Sequence, residues 1–373
     1  MKIGINVLGR PLDDTGGRTY LTGLIGGLAK LELTDDIFIF LHPSNANFFQ
    51  QFHKRIRTVA VPGGSLRKMR PLIEHFILPG CLLKTGIEVL YSPNNSVPLK
   101  SPCPVVMGLQ NVLPFFENAD EGWLRGHYRR WIIPRSATRA SRIIVPSQYA
   151  KDLLMKIIRK DENDVSVIPH GIDREVFHPR GPLADISEKR PYILWASWFW
   201  GYKNWELALM AFSILKNHTK NTYCFHMAGK IPDPTVRRKI HQLGLDQDVL
   251  LLGQIPPESL AQEYRDADLF VYPSKFESFG FPVLEAMACG VPVVASGCPA
   301  LREISDHAAI HVEPLTPESF AQAIHNVLSN PEMKQRMVKQ GLERAHSFSW
   351  LETAKKTLRI IKNSLNTQQS SLF

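Results

Sequence analysis

Apolar residues occur along this chain in short runs, and between the runs they recur at helical spacing on a polar background. The runs read as buried strands and the intervening stretches as amphipathic helices. KIGINVL is the first strand, the loop Pro11–Gly17 leads into the helical pattern TYLTGLIGGLAKL, and IFIFL, EVLYS, PVVMG and RIIVPS add strands up to VSVIPHGID. A second series restarts at YILWAS and continues through CFHMAG, VLLLG, DLFVYPS, VPVVAS and AAIHVE. Such alternation predicts parallel sheets covered by helices. The restart divides the chain into a first domain over residues 1–180 and a second over 188–349, with the Pro- and charge-rich stretch His178–Pro191 as linker. A last helix over about 350–362 is expected to pack back on the first domain.

A length of 373 residues accommodates two domains with their own cores, and 44% apolar against 21% charged residues is ordinary for a globular chain. No run reaches the roughly 18 apolar residues of a membrane span, and the amino terminus lacks a signal-peptide succession, so a cytoplasmic protein is expected. The five cysteines form no C-x-x-C pair and read as reduced packing residues. Charge is uneven: residues 1–180 hold 24 Lys and Arg against 16 Asp and Glu, eight of the chain's nine net positive charges. The densest parts are HKRIR (His53–Arg57), LRKMR (Leu66–Arg70) and Arg125–Arg142. A basic face suits an anionic partner such as the inner surface of a membrane or a lipid-linked diphosphate. Nucleic acid is not expected, because no helix-turn-helix, zinc-finger or RNA-binding signature accompanies the charge.

Candidate chemistry concentrates in VYPSKFESFGFPVLEAMACGVPVVAS, Val271–Ser296. Val271 and Tyr272 end a strand, Pro273 and Ser274 break it, and Pro282 suits a first helical position. Val283–Cys289 then reads as a short helix ended by Gly290 and Pro292. Loop and helix start thus lie at the carboxyl end of a parallel strand, where open α/β sheets bind ligands and a helix N-terminus attracts a diphosphate. Glu285, expected in the first turn, is suited to accept two hydrogen bonds from a ribose diol, and Glu277 in the loop to hold sugar hydroxyls. Taken singly, each is more commonly a dipole partner or a solvated carboxylate.

The whole segment resembles the retaining glycosyltransferases of family 4, whose signature is a glutamate followed eight residues later by another, here Glu277 and Glu285. VIPHGIDREVFHP and VPSQYAKDLL in the first half resemble the family as well. The resemblance implies the GT-B fold, two Rossmann-like domains facing each other across a cleft. It also implies that Glu277 contacts the transferred sugar, that Glu285 binds the ribose, and that backbone around Gly280, Phe281 and Pro282 approaches sugar and phosphate. Lys203, in the loop WASWFWGYKNWELAL, supplies on this reading a positive charge for the leaving diphosphate. Gly16 and Gly17, after the first strand, are placed to let backbone approach a phosphate or the acceptor, although adjacent glycines also make a plain turn.

Two departures stand out. The family often has an arginine six residues before the lysine, where this chain has Ser197, and many relatives have His-Asp where this chain has Gln110 and Asn111. Amides orient hydroxyls but take no proton at neutral pH, which leaves the departing phosphate oxygen as acceptor of that proton, as the family is thought to use it. His170 is a candidate for the acceptor side, with packing as its commoner role. Asp266-Ala-Asp268 mimics a metal motif but falls at a helix end, and no phosphate-loop or dinucleotide fingerprint occurs, so neither a metal nor a cofactor is expected. The expectation is a transferase acting on a nucleoside diphosphate sugar and a glycan or lipid-linked acceptor, in cell-surface polysaccharide or glycolipid synthesis. A GT-B epimerase or phosphorylase, or a binding protein without catalysis, stays open at this point.

Overall fold

A computed structural model describes residues 1–8, 16–43, 45, 54–63, 69–111, 123–180, 191–218, 223–230 and 234–369. The chain forms two compact units, Met1–Gly171 with Ser349–Phe373, and Ile172–Phe348.

The first unit holds seven strands: β1 (Lys2–Asn6), β2 (Asp36–Leu41), β3 (Ile56–Ala60), β4 (Val89–Ser92), β5 (Val105–Gly108), β6 (Arg142–Val145) and β7 (Val165–Val167). All pair in parallel in the order β3-β2-β1-β4-β5-β6-β7. From β1 the chain winds outward through β2 and β3, then returns to β4 on the other side of β1. The carboxyl ends of β1 and β4 therefore form a topological switch point, the usual ligand position in such a sheet. The central strands are apolar on both faces (β4 and β5 are buried throughout), as helices on both sides demand, while the edge strand β3 exposes Arg57 and Ala60. Tyr20, Leu24, Ile25 and Leu28 of the Gly16–Ala29 helix join Ile3, Ile5 and Ile39 in one core cluster.

The helix Trp350–Gln369 belongs to this unit and extends beyond the expected 350–362. Glycine makes its approach possible: a Cβ on Gly23 would lie 2.0 Å from the Trp350 ring, and one on Gly27 2.4 Å from the Trp350 carbonyl oxygen. Thr353 Oγ1 donates to the Pro169 carbonyl at 2.7 Å, and Lys362 pairs with Asp35 at 2.6 Å.

The second unit holds β8 (Tyr192–Ala196), β9 (Cys224–Ala228), β10 (Val249–Gly253), β11 (Leu269–Tyr272), β12 (Val293–Ser296) and β13 (Ala309–Val312). They pair in parallel in the order β10-β9-β8-β11-β12-β13, so this sheet switches between β8 and β11. Trp195, Phe212, Phe225, Val271 and Phe320 lie in its core. Residues 172–180, assigned to the first domain from sequence, fall in this unit. Phe177 meets the edge of Tyr264 at 6.2 Å, Arg265 donates to the Val176 carbonyl at 3.2 Å, and Arg180 pairs with Asp266. The rest of the expected linker, 181–190, lies outside the described residues. Among the described residues no helix is long and apolar enough to cross a membrane.

Candidate active site

Two loops of the second unit meet at its switch point. The first leaves β8, passes through a 3-10 turn at Gly201–Lys203 and enters the Trp205–His218 helix after Asn204, whose φ of 56° makes the reversal. The second leaves β11 at Tyr272 and enters the Phe281–Ala288 helix after Gly280. A backbone bond joins them, Lys275 N donating to the Tyr202 carbonyl at 2.8 Å, and Ser274 Oγ, which donates to the Phe276 carbonyl at 3.0 Å, lies 3.4 Å from the same Tyr202 oxygen.

Lys203 Nζ donates to Glu277 Oε1 at 2.6 Å and to the Tyr272 hydroxyl at 2.8 Å, and that hydroxyl donates to the same Oε1 at 2.7 Å. The carboxylate is nearly enclosed, with 9% of Glu277 exposed. Burial by itself would lower the Lys203 pKa, but the Glu277 charge, aided by Tyr272 and Tyr202, holds it well above the ordinary lysine value. Burial next to Glu277 likewise raises the Tyr272 phenol. The triad thus keeps a fixed ammonium and a fixed carboxylate in a dry site, where each acts more strongly than in water.

Glu285 sits differently. The helix begins at Phe281, so Pro282 is its second residue and Glu285 lies beyond the first turn in which the sequence placed it. The cause is Gly280, whose φ of 116° lets the chain turn into the helix early, while a Cβ there would lie 2.5 Å from Leu301. Glu285 is buried, and its Oε2 accepts from the Tyr264 hydroxyl at 3.2 Å. Burial raises its pKa to about 7, and the single hydrogen bond from Tyr264 offsets only part of that. With Tyr264 as its one side-chain donor among the described residues, the carboxylate has acceptor capacity that a vicinal diol would fill.

Ser197 and the Trp198–Trp200 segment lie at the end of β8 beside the end of β9. Ser197 N donates to the Ala228 carbonyl at 3.0 Å, and Gly229, at φ 142°, passes so close that a Cβ would lie 1.7 Å from the Ser197 carbonyl oxygen. Trp198 and Trp200 stack at 6.0 Å with 5° between their planes, and Lys230 Nζ stands 5.7 Å over the Trp198 ring. Lys230 is an exposed cation next to the position where the expected arginine is replaced by Ser197. Sequence reasoning missed it, together with Tyr264, because each comes from a neighbouring strand or helix, and read Tyr272 only as the end of the strand that leads into the Glu277 loop.

Asp266 and Asp268 are occupied by cations of the same unit: Asp266 ends the Pro257–Asp266 helix and pairs with Arg180, and Asp268 pairs with Lys334 at 2.7 Å. Among the described residues no group of three His, Cys, Asp or Glu is placed to hold a metal ion.

The remaining candidates lie in the first unit. Gly16 and Gly17 open the Gly16–Ala29 helix, an N-terminus suited to an anion. Gln110 N donates to Asn95 Oδ1 at 2.6 Å and its Oε1 is buried without a hydrogen-bond partner, while Asn111 beside it is half-buried. His170 is buried among aromatics, 4.7 Å from the Tyr20 ring and stacked 6.0 Å from Trp350, which makes it a packing residue. Arg67 and Lys68 lie outside the described residues.

Known proteins share the fold and the family pattern of this chain. The family profile for Glycosyltransferase Family 4 matches residues 15–176, and that for Glycosyl transferases group 1 matches residues 184–344. The O-antigen chain mannosyltransferase RfbU of Salmonella typhimurium strain LT2 is 24% identical over 318 residues, 83% of this chain and 86% of that protein. Sucrose-phosphate synthase from Thermosynechococcus elongatus superposes with a TM-score of 0.80 at 20% identity, over 98% of this chain and 99% of its own. HepE of Anabaena, solved in complex with UDP-glucose, superposes with a TM-score of 0.74 at 18% identity, covering all of both chains.

Proposed function

The chain belongs to the glycosyl transferases of group 1, family 4, with the GT-B fold, and on that premise we propose a hexosyl transfer from a nucleoside diphosphate sugar to a glycan acceptor with retention of configuration. The observation that carries this reading is the Lys203–Glu277–Tyr272 triad at the second switch point, where the loop from β8 meets the loop that leads into the Phe281–Ala288 helix and the buried Glu285. Lys203 and the Phe281–Ala288 N-terminus take the diphosphate, Glu277 accepts from hydroxyls of the sugar, and Glu285 accepts from the ribose diol. As the bond from the anomeric carbon to the phosphate oxygen breaks, negative charge grows on that oxygen and the Lys203 ammonium stabilises it. The acceptor hydroxyl forms the new bond to the anomeric carbon on the same face and passes its proton to the departing phosphate oxygen. No side-chain base is required for that step, which accommodates Gln110 and Asn111.

The kinship to a mannosyltransferase and to a structure holding UDP-glucose makes mannose and glucose the first sugars to test, with acceptors drawn from cell-surface polysaccharide intermediates. The basic first domain favours acceptors held at an anionic membrane, with peripheral attachment that salt reverses. Incubation of the protein with guanosine and uridine diphosphate hexoses and a lipid-linked oligosaccharide should release nucleoside diphosphate and yield a product whose anomeric coupling constant matches the donor. An inverted product overturns the mechanism, and absence of transfer with every hexose donor overturns the assignment of substrate.

A further inference from the structure

The first switch point carries a second ion pair that no motif announces. It begins with a helix in irregular register: Arg70–Leu72 is α-helical, Ile73–Ile77 is a π-turn, and Leu78–Thr85 is α-helical again. Leu78 N bonds to the Ile73 carbonyl, five residues back, and Pro79 has no N–H to give the His75 carbonyl, so the wider turn removes a conflict the sequence creates. The result directs Glu74 inward, with only 1% exposed, toward the ends of β1 and β4.

There Glu74 Oε1 accepts from Asn6 Nδ2 at 3.2 Å, Ser96 Oγ lies 3.0–3.1 Å from both carboxylate oxygens, and Arg70 Nη2 is 3.5 Å from Oε2. Arg70 Nη2 also donates to Ser96 Oγ at 3.2 Å and to the Asn94 carbonyl at 3.4 Å. Sequence reading grouped Arg70 with a free basic surface; the structure draws it into this network and leaves a quarter of its side chain exposed. Two buried polar atoms here lack a hydrogen-bond partner, the donor Arg70 Nε and the acceptor Asn94 Oδ1, and Asn94 is only 5% exposed. Such atoms are costly unless a ligand satisfies them: Arg70 Nε suits an anionic oxygen, whereas Asn94 Oδ1 only accepts and calls for a donor such as a hydroxyl.

The outer face of the same segment is apolar and exposed. Leu72, Phe76, Ile77 and Leu83 are 51%, 76%, 36% and 67% exposed. His75 Nε2 lies 3.3 Å from the Tyr128 hydroxyl, which ties in the Trp123–Arg139 helix, and one turn along that helix Trp131 is 47% exposed under the Arg135 guanidinium at 4.5 Å. An apolar strip beside the Arg70 and Arg135 guanidinium groups fits a surface with hydrocarbon within and anions at its edge.

We propose that residues 69–85 dock the phosphate of a membrane-embedded acceptor lipid, with Arg70 taking an anionic oxygen and Leu72, Phe76 and Leu83 meeting hydrocarbon. Glu74 is a positioning residue that holds the guanidinium at the sheet edge. The proposal deepens the glycosyltransferase reading by naming the acceptor's recognised group, and it is testable apart from that reading because it needs no turnover.

The probe is an isoprenyl monophosphate at a few mole per cent in phosphatidylcholine vesicles, against plain phosphatidylcholine vesicles and against soluble inorganic diphosphate. The proteins are wild type, Arg70→Lys, the charge-neutral pair Arg70→Gln with Glu74→Gln, and Phe76→Ser. Donor nucleotide affinity and melting temperature are measured on each, so that a folding defect or a failed donor site is seen separately. Retention on isoprenyl-phosphate vesicles should fall about tenfold in the charge-neutral pair, as expected for one charge-assisted contact, and less in Arg70→Lys. Phe76→Ser should weaken retention on isoprenyl-phosphate vesicles without changing donor affinity. Equal retention of wild type and the charge-neutral pair overturns the proposal. Loss confined to soluble diphosphate overturns the lipid as occupant, and so does full retention of Phe76→Ser.

Discussion

In the second unit Lys203 meets Glu277 where β8 and β11 part, and in the first unit Arg70 meets Glu74 where β1 and β4 part. Both pairs sit at the one place in a doubly wound sheet where neighbouring loops diverge and leave room for a ligand. Their environments differ. Lys203 and Glu277 are 2.6 Å apart, closed in by Tyr272 and by the stitched loops, whereas Arg70 and Glu74 are 3.5 Å apart with part of the guanidinium facing outward. A tight, dry pair is suited to stabilising charge that appears during a reaction, and a looser, half-open pair to recognising a charge already present.

The largest effect should therefore come from the tight pair. Lys203→Ala and Glu277→Ala should each lower turnover by about 100-fold or more at saturating donor, as loss of a preorganised charge-stabilising group does. Near-normal turnover in both would remove the distinction between the two switch points.

Next comes the glutamate outside either pair. Glu285→Ala should weaken donor binding by about 1.5–3 kcal/mol, the loss of hydrogen bonds to a charged acceptor, and titration calorimetry reads it directly. Its protonation sharpens the contrast. A diol needs the ionised carboxylate, and burial raises the Glu285 pKa to about 7, so affinity should be full above neutrality and fall as pH drops through 7, by about tenfold one pH unit below. Glu285→Gln should bind weakly with a flat profile. The same raised pKa means that the folded state holds a proton which the unfolded chain releases above its ordinary value of 4.5, so Glu285 costs stability increasingly from there up to about 7. Glu285→Gln should accordingly melt higher than wild type at mildly alkaline pH.

Lys230→Ala should reduce donor affinity by a few-fold, since an exposed cation contributes about a kcal/mol or less. Installing the absent arginine by Ser197→Arg should restore it. An unchanged affinity in Lys230→Ala would show that the position of Ser197 goes uncompensated. Smallest of all should be the effect of EDTA on the rate, because Lys203 and a helix N-terminus supply the positive field and the Asp266–Asp268 pair is held by Arg180 and Lys334. Strict dependence on added Mg²⁺ or Mn²⁺ would contradict this.

Much of the second site was legible because its chemistry is local. Glu277, Gly280, Pro282 and Glu285 follow one another through a single strand, loop and helix, and the eight-residue spacing of the two glutamates carries the family resemblance from which their roles are proposed. Lys203 was legible for the same reason, as the cation in the first loop after a strand restart. Tyr272 and Tyr264 were hidden: Tyr272 ends a strand that reads as packing although it lies five residues from Glu277, and Tyr264 faces inward from a helix whose pattern is ordinary, so that only the fold brings it to Glu285. The first switch point was hidden altogether. Arg70 belongs to a basic stretch that looks like solvent-facing charge, and Glu74 lies buried within a π-turn that precedes Pro79, a register that helical periodicity does not reveal. The boundary near residue 180 was misplaced because proline and charge mark a linker without showing that Phe177 is already anchored against Tyr264.

The division of labour between the two glutamates is open to one titration, in which a nucleoside diphosphate and the matching nucleotide sugar are bound in turn to Glu277→Ala and Glu285→Ala. Glu285→Ala should lose affinity for both ligands by about tenfold or more, while Glu277→Ala should keep the nucleoside diphosphate within about twofold and lose affinity only for the sugar-bearing ligand. Loss of nucleoside diphosphate binding in Glu277→Ala, with Glu285→Ala unaffected, would contradict the assignment of ribose to Glu285 and sugar to Glu277.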